Sequence, residues 1–391
     1  MYVAVLIMPP MRTAQLGIAA IPFIYYGIAV FSCLRFFLTA KSKLDGPNEF
    51  LPPVSNLKPV RGLDPDAYEN FASFCRQDYP SYEILFCVGD TADPALPVLQ
   101  RLINDFPETQ IRIIVGSGRV ATNDKVAKLA RLVEEAAHEH LVISDSDVRV
   151  EPNYLRNLVA PLADAGTGAV TCFYVSHEDK TWVQRLQDVG MLSDFYPGIL
   201  VAKQLDGVKF ALGPTISTTR SYLQEFGGYA SIENKPADDL WIGRLIAEHG
   251  REVVLLPYAI VTVPDYQSFR ELFFKRLRWI TVMRHLRPWG HLGLIFTLGL
   301  PWSLLAAAIA PTAVVAVAYL GGYFLVRSVL MLLVGSTGLK QPHVWAKLAW
   351  IPLWDAMATF IWLASFTRRS ISWRGHDYFI VKGDLVPVKA E

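Results

Sequence analysis

The sequence predicts an α/β domain built on a mainly parallel sheet, with transmembrane helices on its N-terminal and C-terminal sides. Three observations point there. Short apolar runs alternate with helically spaced stretches through the middle of the chain, the pattern of strand–helix–strand units. Apolar blocks of membrane-spanning length stand towards both ends. Finally, 52% of the 391 residues are hydrophobic and 19% charged, too apolar for disorder and more apolar than most soluble domains. The 37 Lys and Arg nearly cancel the 36 Asp and Glu, for a net charge of +1. No global field attracts a nucleic acid, and no such partner is expected.

In order, the chain reads as an N-terminal transmembrane anchor (1–40), a cytosolic α/β domain (41–265), an interfacial amphipathic helix (266–290), C-terminal transmembrane helices (291–366) and a tail (367–391). Residues 14–38 supply roughly the 20 apolar residues that a spanning helix needs, interrupted only by Arg35. Their apolar core exceeds the about 7–15 residues of a cleaved signal, so retention is expected. Residues 292–334 are long enough for two crossings with a turn at Pro311 and read as a helical hairpin. Residues 344–366 carry Trp345, Lys347, Trp350, Pro352, Trp354, Asp355 and Trp362, a pattern open to a span or an interfacial segment.

Arg35, Lys41 and Lys43 follow the first helix, and Lys275, Arg276, Arg278, Arg284 and Arg287 precede the hairpin. The concentration of cations on the retained side puts the middle domain in the cytosol. Arg368, Arg369 and Arg374 mark the tail. Three crossings after a cytosolic domain would leave that tail outside, so either the last segment does not span or the tail breaks the rule. Uninterrupted loops and the absence of retention signals point to a bacterial inner membrane. Cys33, Cys75, Cys87 and Cys172 show no CxxC spacing and read as reduced core or membrane residues.

Within the middle domain, strands are expected at 54–57, 83–88, 110–115, 140–143 and 169–174, and helices at 66–76, 94–104 and 124–137. Ligands of such sheets bind beyond the carboxyl ends of the strands. There is no GxGxxG and no GxxxxGK[ST], so neither dinucleotide nor P-loop chemistry is indicated. Instead, the strand 83–88 runs into Gly89-Asp90, and 140–143 into Ser144-Asp145-Ser146-Asp147. Two Asp separated by one residue can aim oxygens at one Mg²⁺ or Mn²⁺ that also holds phosphate, and a metal–diphosphate site follows; the other reading is an acidic turn. Asp64-Pro65-Asp66 reads as a helix N-cap with proline in the first turn.

Asp238-Asp239 precede an amphipathic stretch closed by Gly250 with His249 in its last turn. One acid suffices as a cap; its neighbour is then free to act as a general base towards an acceptor hydroxyl. Residues 267–287 place Phe269, Leu272, Phe273, Ile280 and Met283 on one stripe with cations largely elsewhere, an interfacial pattern in which most cations meet headgroups. Arg278-Trp279 stand out, because a guanidinium beside a diphosphate leaving group stabilises its developing charge. Residues 182–205 carry an apolar stripe that either docks on the membrane or packs on the sheet, the latter being the commoner use of such stripes.

These residues resemble, in order and spacing, the membrane glycosyltransferases of GT-A fold, and among them the ceramide glucosyltransferase family with its bacterial hopanoid-associated relatives. Lys58-Pro59-Val60-Arg61-Gly62 is similar to that family's first-strand segment, and Cys87-Val88-Gly89-Asp90 with the following residues to Ala95 looks like its first Asp motif. Asn123-Asp124-Lys125 resembles its Asn-x-Lys element, Asp145-Ser146-Asp147 its second Asp motif, and Asp238-Asp239 its third. Residues 211–215 and Phe226-Gly227-Gly228-Tyr229 look like the stretch beneath its acceptor sugar. The closing signature, Gln or Arg, two residues, then Arg-Trp, is met by Arg278-Trp279 but opens here on Lys275, which keeps the charge and gives up bidentate geometry.

The resemblance implies an inverting enzyme that moves a sugar from a UDP-sugar to the hydroxyl of a lipid in the bilayer. It implies Asp239 as base, and Arg278 with Trp279 at the leaving group. Lys58, Asp90, Lys125, Asp145 and Asp238 would bind the donor, and Asp147 with Asp145 the divalent metal. For the two lysines a solvated surface charge is the competing reading. Ceramide and UDP-glucose come first by family; a hopanoid-type lipid with UDP-N-acetylglucosamine competes. Rivals of another class are a non-catalytic membrane scaffold, which the intact acids oppose, and a transporter, opposed by the scarcity of paired charges in the apolar segments.

Overall fold

A computed structural model of the chain describes residues 10–40, 49–177, 181–264, 267–373 and 375–388. The chain forms two compact units: Met1–Leu38, Lys180–Leu205 and Gln267–Arg369 make one, and Thr39–Asp179, Asp206–Tyr266 and Ser370–Glu391 the other. Lys41, Lys43 and Arg374 lie outside the described residues.

The second unit has the expected α/β architecture. Its strands are β1 (Val54–Pro59), β2 (Tyr82–Val88), β3 (Gln110–Val115), β4 (His140–Ser144), β5 (Val148–Arg149), β6 (Thr167–Ser176), β7 (Thr215–Thr219) and β8 (Glu252–Thr262). They are ordered β3-β2-β1-β4-β7-β6-β8-β5. Strands β3, β2, β1 and β4 run parallel, as do β6 and β8, whereas β7 opposes both β4 and β6. One core joins Phe71 and Phe74 of the helix Ala67–Cys75 to Phe86 of β2 and to Tyr154, with edge-to-face rings 5.1 and 5.5 Å apart.

Strand β1 extends two residues beyond the expected 54–57, carrying Lys58 into the sheet. Strand β7, Thr-Ile-Ser-Thr-Thr, has no apolar run to announce it, yet every residue is buried. Two of its threonine hydroxyls find backbone partners: Thr218 Oγ1 donates to Gly168 O at 2.7 Å and Thr215 Oγ1 to Ile143 O at 3.2 Å.

Two helix starts differ from expectation. Asp66 precedes Ala67–Cys75 at φ 55 without a side-chain capping bond, and Pro65 therefore lies ahead of the cap rather than in the first turn; the Asp66 carboxylate pairs with Arg149 at 3.3 Å instead. The helix Asp238–Glu248 begins on the first of its two acids, so the cap position falls to Ala237 at φ 53 and neither acid caps it. Asn123 does cap Asp124–Glu135, its Oδ1 accepting from Val126 N at 3.3 Å.

The tail forms an antiparallel sheet, β9 (Ser370–Trp373), β10 (His376–Val381) and β11 (Asp384–Pro387), in the α/β unit. Leu385 N donates to Asn234 O at 2.7 Å, and Lys235 pairs with Asp384 at 2.8 Å.

In the first unit, Met11–Thr39, Ala313–Gly338 and Val344–Ser365 are long and apolar enough to cross a membrane among the described residues. The hairpin expected at 292–334 resolves into the helix Ala313–Gly338 and a pair, Pro288–Phe296 and Gly299–Ile309, bent by 42°. Tyr26 holds the break, donating to Thr297 O at 3.0 Å and accepting from Gly299 N at 2.9 Å.

Residues 182–205 belong to the same unit as these helices and pack against them, which corrects the preferred reading of a stripe on the sheet. A Cβ on Gly190 would lie 2.1 Å from the Trp354 ring, Asp188 pairs with Lys347 at 2.9 Å, and Ser193 O accepts from Arg327. Arg327 is itself buried against Asp355 at 2.5 Å, with Tyr323 donating to the other carboxylate oxygen at 2.6 Å.

The helix Phe269–Leu286 buries Leu272, Arg276, Leu277, Thr281 and Val282, a stripe rotated from the expected one. Arg276 draws the face inward: its Nε donates to Gln187 Oε1 at 2.9 Å and its guanidinium lies 4.6 Å from the Trp279 ring. The four cysteines are free and buried.

A Cβ on Gly243 would sit 2.3 Å from the Phe210 carbonyl carbon. Gly243→Ala must therefore push the helix Asp238–Glu248 off its support, and should cost about 1–3 kcal/mol in denaturant unfolding of the detergent-solubilised chain.

Candidate active site

The carboxyl ends of β1, β2 and β4 form one edge of the parallel sheet. At the end of β4, Ser144 Oγ bonds Tyr154 OH at 2.5 Å, and Tyr154 OH in turn meets Thr215 Oγ1 at 2.6 Å, pinning the strand to β7. Asp145 follows, its N–H donating to Pro214 O at 3.2 Å. The Asp145 carboxylate accepts an ion pair from Lys125 Nζ at 2.7 Å, and the same ammonium reaches Asp238 at 3.1 Å. Lys125 belongs to the first turn of Asp124–Glu135, so one cation ties three separate chain segments together. Burial alone would lower its pKa, but Asp145 and Asp238 outweigh burial and hold it above the usual lysine value.

Lys58 is fully buried, on the same pleat face of β1 as Val54 and Asn56. Its Nζ donates to Asp145 O at 2.9 Å and lies 3.4 Å from the Phe74 ring centre. Burial pushes Lys58 down to about 7, against the opposing pull of Asp145, Asp147 and Asp64. Neither lysine is a solvated surface charge.

Asp239 is part-exposed, with Oδ1 accepting from Leu240 N at 2.9 Å. A Cβ on Gly213 would come within 3.0 Å of its other oxygen, which explains a glycine at that point. Burial first, then the charge of Asp238, push Asp239 up to about 6, while Lys125 pulls the other way. Asp90 stands exposed at the end of β2, with Oδ1 accepting from Ala92 N at 2.7 Å. Asp147 is half-buried two residues beyond Asp145.

The sheet edge thus gathers Lys58, Lys125, Asp145, Asp147, Asp238 and Asp239, and carries Asp90 on its rim. Arg278 and Trp279 belong to the other unit, on the helix Phe269–Leu286. Arg278 is partly exposed there, and the Trp279 ring packs 5.9 Å from Phe195. Sequence reasoning gave no role to Asn123, whose Nδ2 donates to Lys235 O at 2.9 Å while its Oδ1 caps the Lys125 helix. The Tyr229 hydroxyl, in the stretch likened to the family's acceptor floor, is buried with no partner among the described residues and lies in the field of Asp238 and Lys125.

Among the described residues, no three His, Cys, Asp or Glu side chains come together as a metal cage. A cation of the Mg²⁺ type keeps its waters and takes one or two carboxylates together with substrate phosphates. Asp145 and Asp147, two hard oxygen donors beyond one strand end, fit that arrangement.

The family model described as Glycosyl transferase family 21 matches residues 16–386. Ceramide glucosyltransferase 3 of Caenorhabditis elegans is 22% identical over 374 residues, 93% of this chain and 80% of its own length. Ceramide glucosyltransferase 1 of the same organism is 25% identical over 62% of this chain, which spans about half of that relative (52%). A ceramide glucosyltransferase of Gibberella zeae is 32% identical over 37% of this chain and 28% of its own. The mannosyltransferase PcManGT from Pyrobaculum calidifontis, solved with GDP-Man and Mn²⁺, superposes with a TM-score of 0.54 at 19% identity, over 86% of this chain and 99% of that one. The fold is that of a GT-A glycosyltransferase.

Lys125→Met leaves two carboxylates facing each other without their cation. It should cost about 3 kcal/mol in unfolding measurements, and Asp238→Asn in the same background should recover part of the loss.

Proposed function

The chain belongs to glycosyl transferase family 21, and on that premise we propose that it transfers glucose from UDP-glucose to the hydroxyl of a membrane lipid, with ceramide as the favoured acceptor. One observation carries the reading: Asp145, Asp238 and Asp239 converge around Lys125 at the carboxyl edge of the sheet. The ceramide glucosyltransferases among the relatives support the choice of donor sugar and lipid.

On this reading Asp239 takes the proton of the acceptor hydroxyl as its oxygen attacks C1 of the sugar. A carboxylate near 6 suits that task, being ionised at neutral pH yet more basic than an ordinary aspartate. Lys125 holds Asp145 and Asp238 so that Asp239 keeps its position, and Gly213 leaves its oxygen uncovered. Asp90 binds the nucleotide, and Lys58 lends positive charge beneath the Asp145 turn. Asp145 and Asp147 would hold a divalent cation, which when bound neutralises the diphosphate. Arg278 and Trp279 enter as leaving-group residues by resemblance. Displacement in one step inverts the anomeric centre.

We infer the membrane topology from parity. Strands β9–β11 fold with the α/β unit, so the chain between 267 and 369 crosses the bilayer an even number of times. The bent pair 288–309 crosses outward and Ala313–Gly338 returns alongside the first helix, with Tyr319 OH donating to Leu16 O at 2.8 Å and Gly338 against the Phe37 ring; Val344–Ser365 then enters and leaves on one side. With the positive-inside cations, that side and the α/β unit are cytosolic.

Membranes incubated with labelled UDP-glucose or UDP-N-acetylglucosamine and with ceramide or a hopanoid lipid should yield a glucosylated ceramide by mass; transfer only to the hopanoid would overturn the acceptor. Asp239→Asn should reduce turnover at least 1,000-fold and leave UDP binding within threefold. In the parent chain kcat should rise with pH through about 6, because the base works only after losing its proton. In a cysteine-free background, Ala313→Cys and Val386→Cys should react with an impermeant maleimide from opposite sides of the membrane. Labelling of both from one side would refute the two-crossing topology.

A further inference from the structure

The strap 233–237 leads directly into Asp238 and Asp239, and it ends in a residue that resists its own conformation. Ala237 has φ 53, the left-handed region that costs an L-residue about 1–2 kcal/mol. Such a residue persists only where the chain on both sides is fixed. On the far side the fixing is the Lys125–Asp238 ion pair at 3.1 Å. On the near side two elements grip the strap. Asn123 N donates to Glu233 O at 2.9 Å, Asn123 Nδ2 to Lys235 O at 2.9 Å, and Thr122 N to Asn234 Oδ1 at 3.3 Å.

The second grip comes from almost 150 residues later in the chain. In the hairpin of β10 and β11, Val381 pairs with Asp384 across a two-residue turn, and Ile380 with Leu385. Asp384 is thus a hydrogen-bonded position of the ladder and Leu385 an outward one. The outward N–H of Leu385 is the donor to Asn234 O at 2.7 Å, so β11 extends its hydrogen bonding onto the strap. The Leu385 side chain is buried, and the adjacent Asp384 pairs with Lys235 Nζ at 2.8 Å. Lys235 in turn lies 4.8 Å from the ring of Trp241, one turn into the helix that carries the acids.

We propose that the C-terminal hairpin is an intramolecular latch, in which Leu385 and Asp384 are positioning residues that hold the strap and so fix Asp238 and Asp239 for transfer. The proposal rests on the glycosyltransferase reading for its effect on turnover, but not for its effect on the strap. It gives the tail a part in the chemistry although no tail residue needs to touch a substrate.

Leu385→Pro and Leu385→Ala both lose the buried side chain, and only the proline also loses the outward donor, at a position that makes no bond to β10. The proline variant should show at least tenfold lower kcat than the alanine variant with donor KM within threefold, and faster amide hydrogen exchange across 233–239. Because the proline variant can fail to fold, a second pair serves. Lys235→Asp and Asp384→Lys should each lower kcat, and together should recover it, since the swapped pair restores the ion pair that either change breaks. Equal kcat and equal exchange in the proline and alanine variants, or no recovery in the swapped double variant, would overturn the latch. If the parent chain transfers no sugar to any lipid, the functional reading falls, and exchange across 233–239 still decides the latch.

Discussion

One ammonium group organises the candidate site. Asp145 ends a strand, Asp238 begins a helix more than ninety residues later, and the two carboxylates would repel at this separation without Lys125 between them. The ion pair sets where the helix Asp238–Glu248 starts and helps hold Ala237 in its left-handed conformation. The same charge tunes Asp239. Burial and Asp238 raise its proton affinity, and Lys125 limits the rise, leaving the carboxyl near 6. Without the ammonium the acid would hold its proton more tightly; without burial it would hold it more loosely, as an ordinary aspartate does.

The sheet was legible because parallel strands buried on both faces must be apolar, as the runs ending at Val88 and Ser144 are, while the edge strand ending at Val115 shows itself by Ile111, Ile113 and Ile114. Strand β7 was not, since its burial is sustained by hydroxyls whose partners are visible only in three dimensions. The acids of the site were legible from their places at strand and helix ends. The state of Lys58 and Lys125 was not. A lysine in sequence is a surface residue by default, and its burial depends on Phe74 and on carboxylates brought from elsewhere.

The same limit explains the membrane unit and the tail. The stripe in 182–205 announced a buried face without naming its neighbour, and a GT-A sheet close by in sequence made the wrong neighbour attractive. Its real partners, Lys347, Arg327 and Trp354, lie some 150 residues downstream. Arg276 and Arg278 have the same chemistry and lie two residues apart, yet only Arg276 is buried, because Gln187 and the aromatic rings accept it. A short polar tail gives no hint that an outward N–H of its last strand reaches a loop beside the acids.

The charge balance of the sheet edge bears on how a donor binds. Asp64, Asp145, Asp147, Asp238 and Asp239 face the Lys125 ammonium and Lys58, whose charge burial opposes, so even with Asp239 protonated the acids outnumber the cations. A diphosphate arriving alone would add negative charge to a negative site, at a part-buried position where water screens poorly. Arg278, were it to approach, would return one positive charge and leave the excess unmet. On the proposed reading, a divalent cation held by Asp145 and Asp147 would offset that excess, and a cation of this kind needs only one or two carboxylates from the protein. Lys125 meanwhile holds Asp145 and Asp238 together, so the acids are in place before a donor arrives.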